Sequence, residues 1–201
     1  MKALPNLLTG LRLALSLFVF FALATAAGDL PGYEPSGGAI FALDRWAVAA
    51  FVIAAVTDFF DGWLARRLGA TSVWGAILDP IADKVLVCAT VLGLLALAAS
   101  PVVVVPAALI LFREFTISAL REATAGRITL PVTLLAKWKT TLQLLGLGAE
   151  LVVATWSALD LPPYPIQAAT WIAHTLLWLA AAVTLITGAQ YLMQARRALA
   201  G

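Results

Sequence analysis

Four aspartates, Asp58, Asp61, Asp79 and Asp83, fall within 26 residues of a chain that is otherwise 62% apolar. They occupy the stretch TDFFDGWLARRLGATSVWGAILDPIADK, residues 57–84, at spacings of three and four within each pair. Residues three and four apart share a helix face, so Asp58 and Asp61 form one carboxylate pair and Asp79 and Asp83 another. Bare carboxylates grouped in this way repel one another and are costly to desolvate. A hard divalent cation with oxygen ligands removes both penalties. A solvated acidic turn at a helix boundary is the plainer alternative. Gly62 and Ala65 leave one helix face almost without bulk, so a large group can approach the backbone there. Arg66 offers a fixed cation suited to phosphate oxygens. Gly75 reads equally as an opening on the facing helix or as a helix-packing glycine.

A second set of polar residues lies further along, in FREFTISALRE and AKWKTTLQ. Arg113 and Arg121 are eight residues apart with Ser118 between them, and Lys137 and Lys139 follow. Ionisable groups at membrane depth are expensive and face a polar cavity, so these residues point to an anionic ligand, best a phosphorylated alcohol. Arg127 reads as loop decoration or a contact to anionic headgroups.

The elements that must position both sets are membrane helices. Only 12% of residues are charged and the mean hydropathy is +0.96, which places the chain in the membrane class. Six apolar windows of spanning length appear, at about 7–27, 39–60, 73–99, 102–122, 134–157 and 166–193. The segments GDLPGYEPSGG and LDLPPYP break the pattern as loops. Pro80 predicts a helix start or a kink beside Asp79. A bilayer leaves no water for unpaired backbone groups, so an all-α integral membrane protein with six transmembrane helices is expected, as a single domain over 1–201. Lys2 and the following apolar run imitate a signal peptide, but Pro5, Asn6 and Arg12 interrupt it and the run is long enough to span.

With a cytoplasmic N-terminus, twelve of the thirteen basic residues fall on or towards the cytoplasmic side and Arg45 alone towards the other. The C-terminus and both polar sets then lie on that side too. Trp63, Trp74 and Trp138 read as interfacial anchors at those ends, and Trp46 and Trp156 at the opposite ones. Cys88 reads as a small buried hydrophobe. His174 reads as a packed or hydrogen-bonded helix residue, and Glu150 as the partner of a neighbouring helix or of a second subunit.

Written out, the aspartate stretch is D58-x2-D61-G62-x2-A65-R66-x8-G75-x3-D79-x3-D83. It resembles the complete signature of the CDP-alcohol phosphatidyltransferase family, and eight residues at fixed gaps make a highly specific match. The resemblance implies a six-helix membrane enzyme, a homodimer, that displaces CMP from a CDP-linked lipid with an alcohol as nucleophile. It further implies that Asp58, Asp61, Asp79 and Asp83 hold two divalent cations, Mg²⁺ or Mn²⁺, and that Asp83 is also the general base. Gly62, Ala65, Arg66 and Gly75 would line the cytidine diphosphate pocket, with Thr9 assisting. The group Pro5, Asn6 and Thr9 resembles the family's N-terminal segment, a short stretch along the interface before the first span.

Within the family, LPNLLTGLR, TDFFDGWLARR, GAILDPIADK, FREFTISALRE and the KWKTT run resemble members that transfer a phosphatidyl group from CDP-diacylglycerol to sn-glycerol 3-phosphate. Arg113, Arg121, Lys137, Lys139 and Ser118 would then bind the acceptor phosphate. The loop at 28–44 is longer than the family pattern needs, and the last third is ordinary apolar helix. Inositol phosphate, or phosphatidylglycerol in cardiolipin formation, is the alternative acceptor. A divalent-cation transporter is the reading from another class, but it predicts ionisable groups across the membrane depth, and here only Glu150 lies away from the crowded face. Besides these substrates, membrane lipids are the expected partners and nucleic acid is not.

Overall fold

The computed structural model describes residues 3–68, 73–97, 100–123 and 134–200, with side chains described for 7–58, 78–97, 100–122 and 138–196. Six helices account for nearly all of them: α1 Ala3–Ala26, α2 Gly37–Leu68, α3 Val73–Leu97, α4 Pro101–Ala123, α5 Leu134–Ala154 and α6 Ile166–Ala200. Five contain an apolar stretch long enough to cross a membrane, and α5, whose 21 residues include Lys137, Lys139 and Glu150, packs lengthwise on α6. The protein is an all-α integral membrane protein. Pro5, Asn6 and Thr9 lie in α1 itself, which continues unbroken into the first span.

Local chemistry sets the helix ends. At the end of α1, Gly28 takes φ +83°, its N–H bonds to the Thr25 carbonyl and the Asp29 N–H to the Ala24 carbonyl. That pair of bonds is the Schellman closure, which needs a residue in the left-handed region. Ser36 caps α2, its Oγ accepting the Ala39 N–H at 3.3 Å. Pro101 opens α4 at a position where a missing N–H costs nothing, and the Ser100 carbonyl accepts from Val103 and Val104. Pro80 lies inside α3, which runs through it, so it neither starts nor ends the helix.

The helices form two triplets. In the first, α1 packs along both α2 and α3; in the second, α6 packs along both α4 and α5. Contacts of α5 with α2 and α3, and of α3 with α4, join them. Val19, Leu23, Phe51, Leu86, Val91, Leu147 and Leu177 build the shared core. Glycines allow the closest approaches. A Cβ on Gly146 would lie 3.0 Å from the Leu177 Cα, and one on Gly93 would run into the Leu23 side chain. Gly146→Val is therefore expected to push α5 off α6 and cost about 1–3 kcal/mol, as overpacking does. A fall in thermal midpoint in detergent checks this, and an unchanged midpoint would count against so close a contact.

Charge sorts to the two ends of the bundle. One end holds Arg12, Asp58, Asp83, Arg113, Glu114 and Lys139. At the other, Arg45 of α2 bonds to the Ala158 carbonyl and to Asp160 at 2.6 Å, and Trp178 of α6 donates to the Val102 carbonyl at 3.0 Å. Glu150, 4% exposed, meets Nδ1 of His174 at 2.7 Å, so its partner is a neighbouring helix. Cys88 is only partly buried, not the fully buried small hydrophobe that the sequence suggests.

Candidate active site

The site begins from Arg12, a residue to which the sequence assigns no part in binding or catalysis. Nη1 of Arg12 on α1 lies 2.8 Å from Oδ1 of Asp58 on α2 and 2.7 Å from Oδ1 of Asp83 on α3. The guanidinium is 1% exposed, while Asp58 and Asp83 are 30% and 43% exposed. A cation buried behind the two carboxylates fixes their positions and leaves their open faces to a ligand. Three residues earlier on the same helix, the buried Thr9 donates from Oγ1 to Oδ1 of Asp79 at 2.6 Å. Thr9 thus reaches the site through Asp79. Thr9 is expected from the sequence beside the nucleotide; its spacing of three from Arg12, one helix face, is the signal that could have identified Arg12 as well.

Asp58 and Asp83 open onto a cavity of about 510 Å³ between the two triplets. Its opposite wall carries Arg113, Ser118 and Arg121 of α4 and Lys139 of α5, so the acidic and basic sets face one space. Glu114 organises the basic side. Its Oε1 accepts from Nη1 of Arg113 at 3.1 Å, from Nζ of Lys139, and from Nε2 of Gln143 at 3.2 Å. One carboxylate between two cations leaves that corner net positive; Glu122 offsets Arg121, but Lys84 of α3 also lines the cavity, so the lining apart from the two aspartates stays net positive and favours an anion. Glu114 and Gln143 were missed as functional residues; Glu114 stands beside Arg113 in FREF, and Gln143 lies four residues after Lys139.

Asp79 does not line this cavity. Among the described residues no three metal-ligating side chains group together. The side chains of Asp61, Gly62, Ala65, Arg66, Gly75 and Lys137 lie outside the described residues. A second, apolar groove of about 1030 Å³ reaches the same Asp58 and Asp83 from between α2 and α5, past Phe51, Val56, Leu145, Gly148 and Ile172. Its walls are hydrocarbon, and its head is the acidic corner.

The model of the CDP-alcohol phosphatidyltransferase family matches residues 2–189. The chain belongs to the CDP-alcohol phosphatidyltransferase family. Curated relatives carry the name CDP-diacylglycerol--glycerol-3-phosphate 3-phosphatidyltransferase. That of Cereibacter sphaeroides is 36% identical, over 96% of this chain and 95% of its own. The Rickettsia bellii protein is 41% identical over 70% of this chain and 74% of its own, and the Sodalis glossinidius protein 40% over 76% and 81%. The segment 28–44, a loop only as far as Ser36 because α2 starts at Gly37, and the last span fall inside the Cereibacter alignment's near-complete coverage, so the likeness extends beyond the motif-bearing half of this phosphatidyltransferase.

Proposed function

We propose that this phosphatidyltransferase moves the phosphatidyl group of CDP-diacylglycerol to sn-glycerol 3-phosphate, giving phosphatidylglycerophosphate and CMP in phospholipid biosynthesis. The observation that carries the reading is one cavity with an acidic corner, a basic wall and an apolar groove that ends at the same two aspartates. The groove suits the acyl chains of the donor, and the Arg113, Arg121 and Lys139 wall suits the phosphate of the acceptor. The names of the relatives supply the identity of both substrates. The positive-inside bias supports a bacterial cytoplasmic membrane with both termini and the site on the cytoplasmic face, and the family resemblance supports a homodimer.

The donor set fits divalent cations: Asp58 and Asp83 offer hard oxygens from two helices, and those oxygens already converge on one cationic nitrogen, Nη1 of Arg12. Asp58, Asp61, Asp79 and Asp83 are the ligands we assign to two Mg²⁺ or Mn²⁺ ions. Bound there, the ions would neutralise the pyrophosphate and the departing CMP. Arg66 with Gly62, Ala65 and Gly75 holds the nucleotide. Arg113, Arg121, Lys137, Lys139 and Ser118 hold the acceptor phosphate, which turns a free hydroxyl towards the aspartates. Asp83 takes the proton of that hydroxyl as its oxygen bonds to the phosphorus bearing diacylglycerol. The bond from that phosphorus to the CMP oxygen breaks, and CMP leaves with the electron pair.

The test supplies purified protein with CDP-diacylglycerol and each acceptor in turn. CMP release with glycerol 3-phosphate is expected; release only with inositol phosphate or phosphatidylglycerol would overturn the assignment. Arg113→Ala and Arg121→Ala should each raise KM for glycerol 3-phosphate by about 10- to 100-fold, since a hydrogen bond to a charged group contributes about 1.5–3 kcal/mol. KM for CDP-diacylglycerol should change little, and equal effects on both substrates would remove these arginines from the acceptor site.

A further inference from the structure

None of the described α6 residues lines the polar cavity, yet four of them stand directly behind its basic wall. Thr184, Thr187, Gly188 and Tyr191 follow one another at spacings of three, one and three, a single stripe along the helix. Together they meet Gln143, Arg113 and Arg121, with Thr187 and Gly188 both against Arg113. Thr184 Oγ1 accepts from Nε2 of Gln143 at 2.8 Å. Thr187 Oγ1 accepts from Nη2 of Arg113 at 3.2 Å. Its own proton goes back to the helix carbonyls of Val183 and Thr184, which leaves its lone pairs for the guanidinium. Tyr191 offers its ring to Arg121, whose guanidinium carbon lies 5.2 Å from the centroid, within cation–π range.

Gly188 is the decisive position. Glycine is a poor helix former, and here it stands well inside a 35-residue helix. A Cβ at Gly188 would lie 2.9 Å from Cγ and 3.1 Å from Nε of Arg113. The Arg113 stem therefore runs against bare α6 backbone, and no larger residue leaves it that path.

We infer that the stripe Thr184, Thr187, Gly188 and Tyr191 is a positioning surface that sets the placement of the acceptor-binding cations, Arg113 above all, without touching substrate. The inference rests on the proposed role of Arg113 and Arg121 in binding the acceptor phosphate. It predicts a split between the two substrates. Displacing a positioned charged group by about 1 Å can cost up to a hundredfold.

The experiment measures KM for glycerol 3-phosphate and for CDP-diacylglycerol, with kcat, in detergent-purified Gly188→Ala, Thr187→Val, Thr187→Ser, Tyr191→Leu and Tyr191→Phe. Ile186→Ala, on the lipid-facing side of α6, serves as control and Arg113→Ala as reference. Gly188→Ala and Thr187→Val are expected to raise the glycerol 3-phosphate KM roughly tenfold or more, with the CDP-diacylglycerol KM near wild type. Thr187→Ser should restore it, and Tyr191→Phe should behave as wild type where Tyr191→Leu does not. Alanine favours the helix and so offsets part of the cost of moving Arg113, and a kcat and CDP-diacylglycerol KM near wild type separate displacement of Arg113 from unfolding. If Arg113→Ala raises the acceptor KM and Gly188→Ala does not, the positioning role is wrong while the acceptor site stands. If Arg113→Ala itself leaves that KM unchanged, the reading of the acceptor site fails first.

Discussion

Asp83→Asn is expected to lower kcat by about 10²- to 10⁴-fold, the range a positioned general base contributes. The substitution is nearly isosteric, and the amide oxygen can still accept from Arg12, so the tie between α1 and α3 survives. What disappears is the negative charge that would accept the hydroxyl proton at the cavity mouth. Binding of CDP-diacylglycerol should remain largely in place, because the apolar walls of the groove and the nucleotide-binding residues are unchanged and the other three assigned cation ligands, Asp58, Asp61 and Asp79, remain. CMP release under saturating substrates, together with direct binding of the donor, distinguishes these terms. Near-normal turnover in Asp83→Asn would remove the base role from this residue.

Arg12→Ala carries the second large effect, and it acts on stability as well as rate. The arginine is the shared counter-ion of two carboxylates from different helices. Its loss leaves Asp58 and Asp83 facing each other without compensation, and leaves a void in the first triplet. Breaking a fully buried ion pair costs about 3–5 kcal/mol. Both aspartates keep solvent exposure, so about 1–3 kcal/mol is the expected loss after screening. A divalent cation would replace the missing positive charge, so adding Mg²⁺ or Mn²⁺ should raise the thermal midpoint of Arg12→Ala by more than that of the wild type. Equal shifts in both proteins would mean that the aspartates do not share one electrostatic site with Arg12.

The reaction class was legible because its residues are consecutive in sequence: Asp58 to Asp83 span the junction of α2 and α3, and helical spacing alone pairs them. Arg113, Arg121 and Lys139 were legible as charges without solvent to explain them, and they line the cavity. Arg12 was not, because its meaning depends on α1 lying against both α2 and α3, a contact no local pattern encodes. Glu114 and Gln143 were obscure for a related reason. Each is an ordinary polar residue until α4 and α5 bring Arg113, Lys139 and Thr184 to it. The final helix looked like plain apolar span because three of the residues that matter there, two threonines and a glycine, carry no charge. Pro80, which predicts a helix start or a kink, lies inside α3 and does not start it.

The two triplets are tethered between α3 and α4 at Leu97 and Pro101, the end of the bundle away from the cavity. Asp83 lies fourteen residues from that tether along α3, about 21 Å at the rise of an α-helix. The jaws of the cleft, Asp58 and Asp83 on one triplet and Arg113, Arg121 and Lys139 on the other, are therefore held at their distance by the packing of α5 on α2 and α3 and not by the chain link. A rigid tilt of about 5° at the tether would change the jaw gap by about 2 Å over that 21 Å arm. That is enough to make or break hydrogen-bond contact with a phosphate held between them.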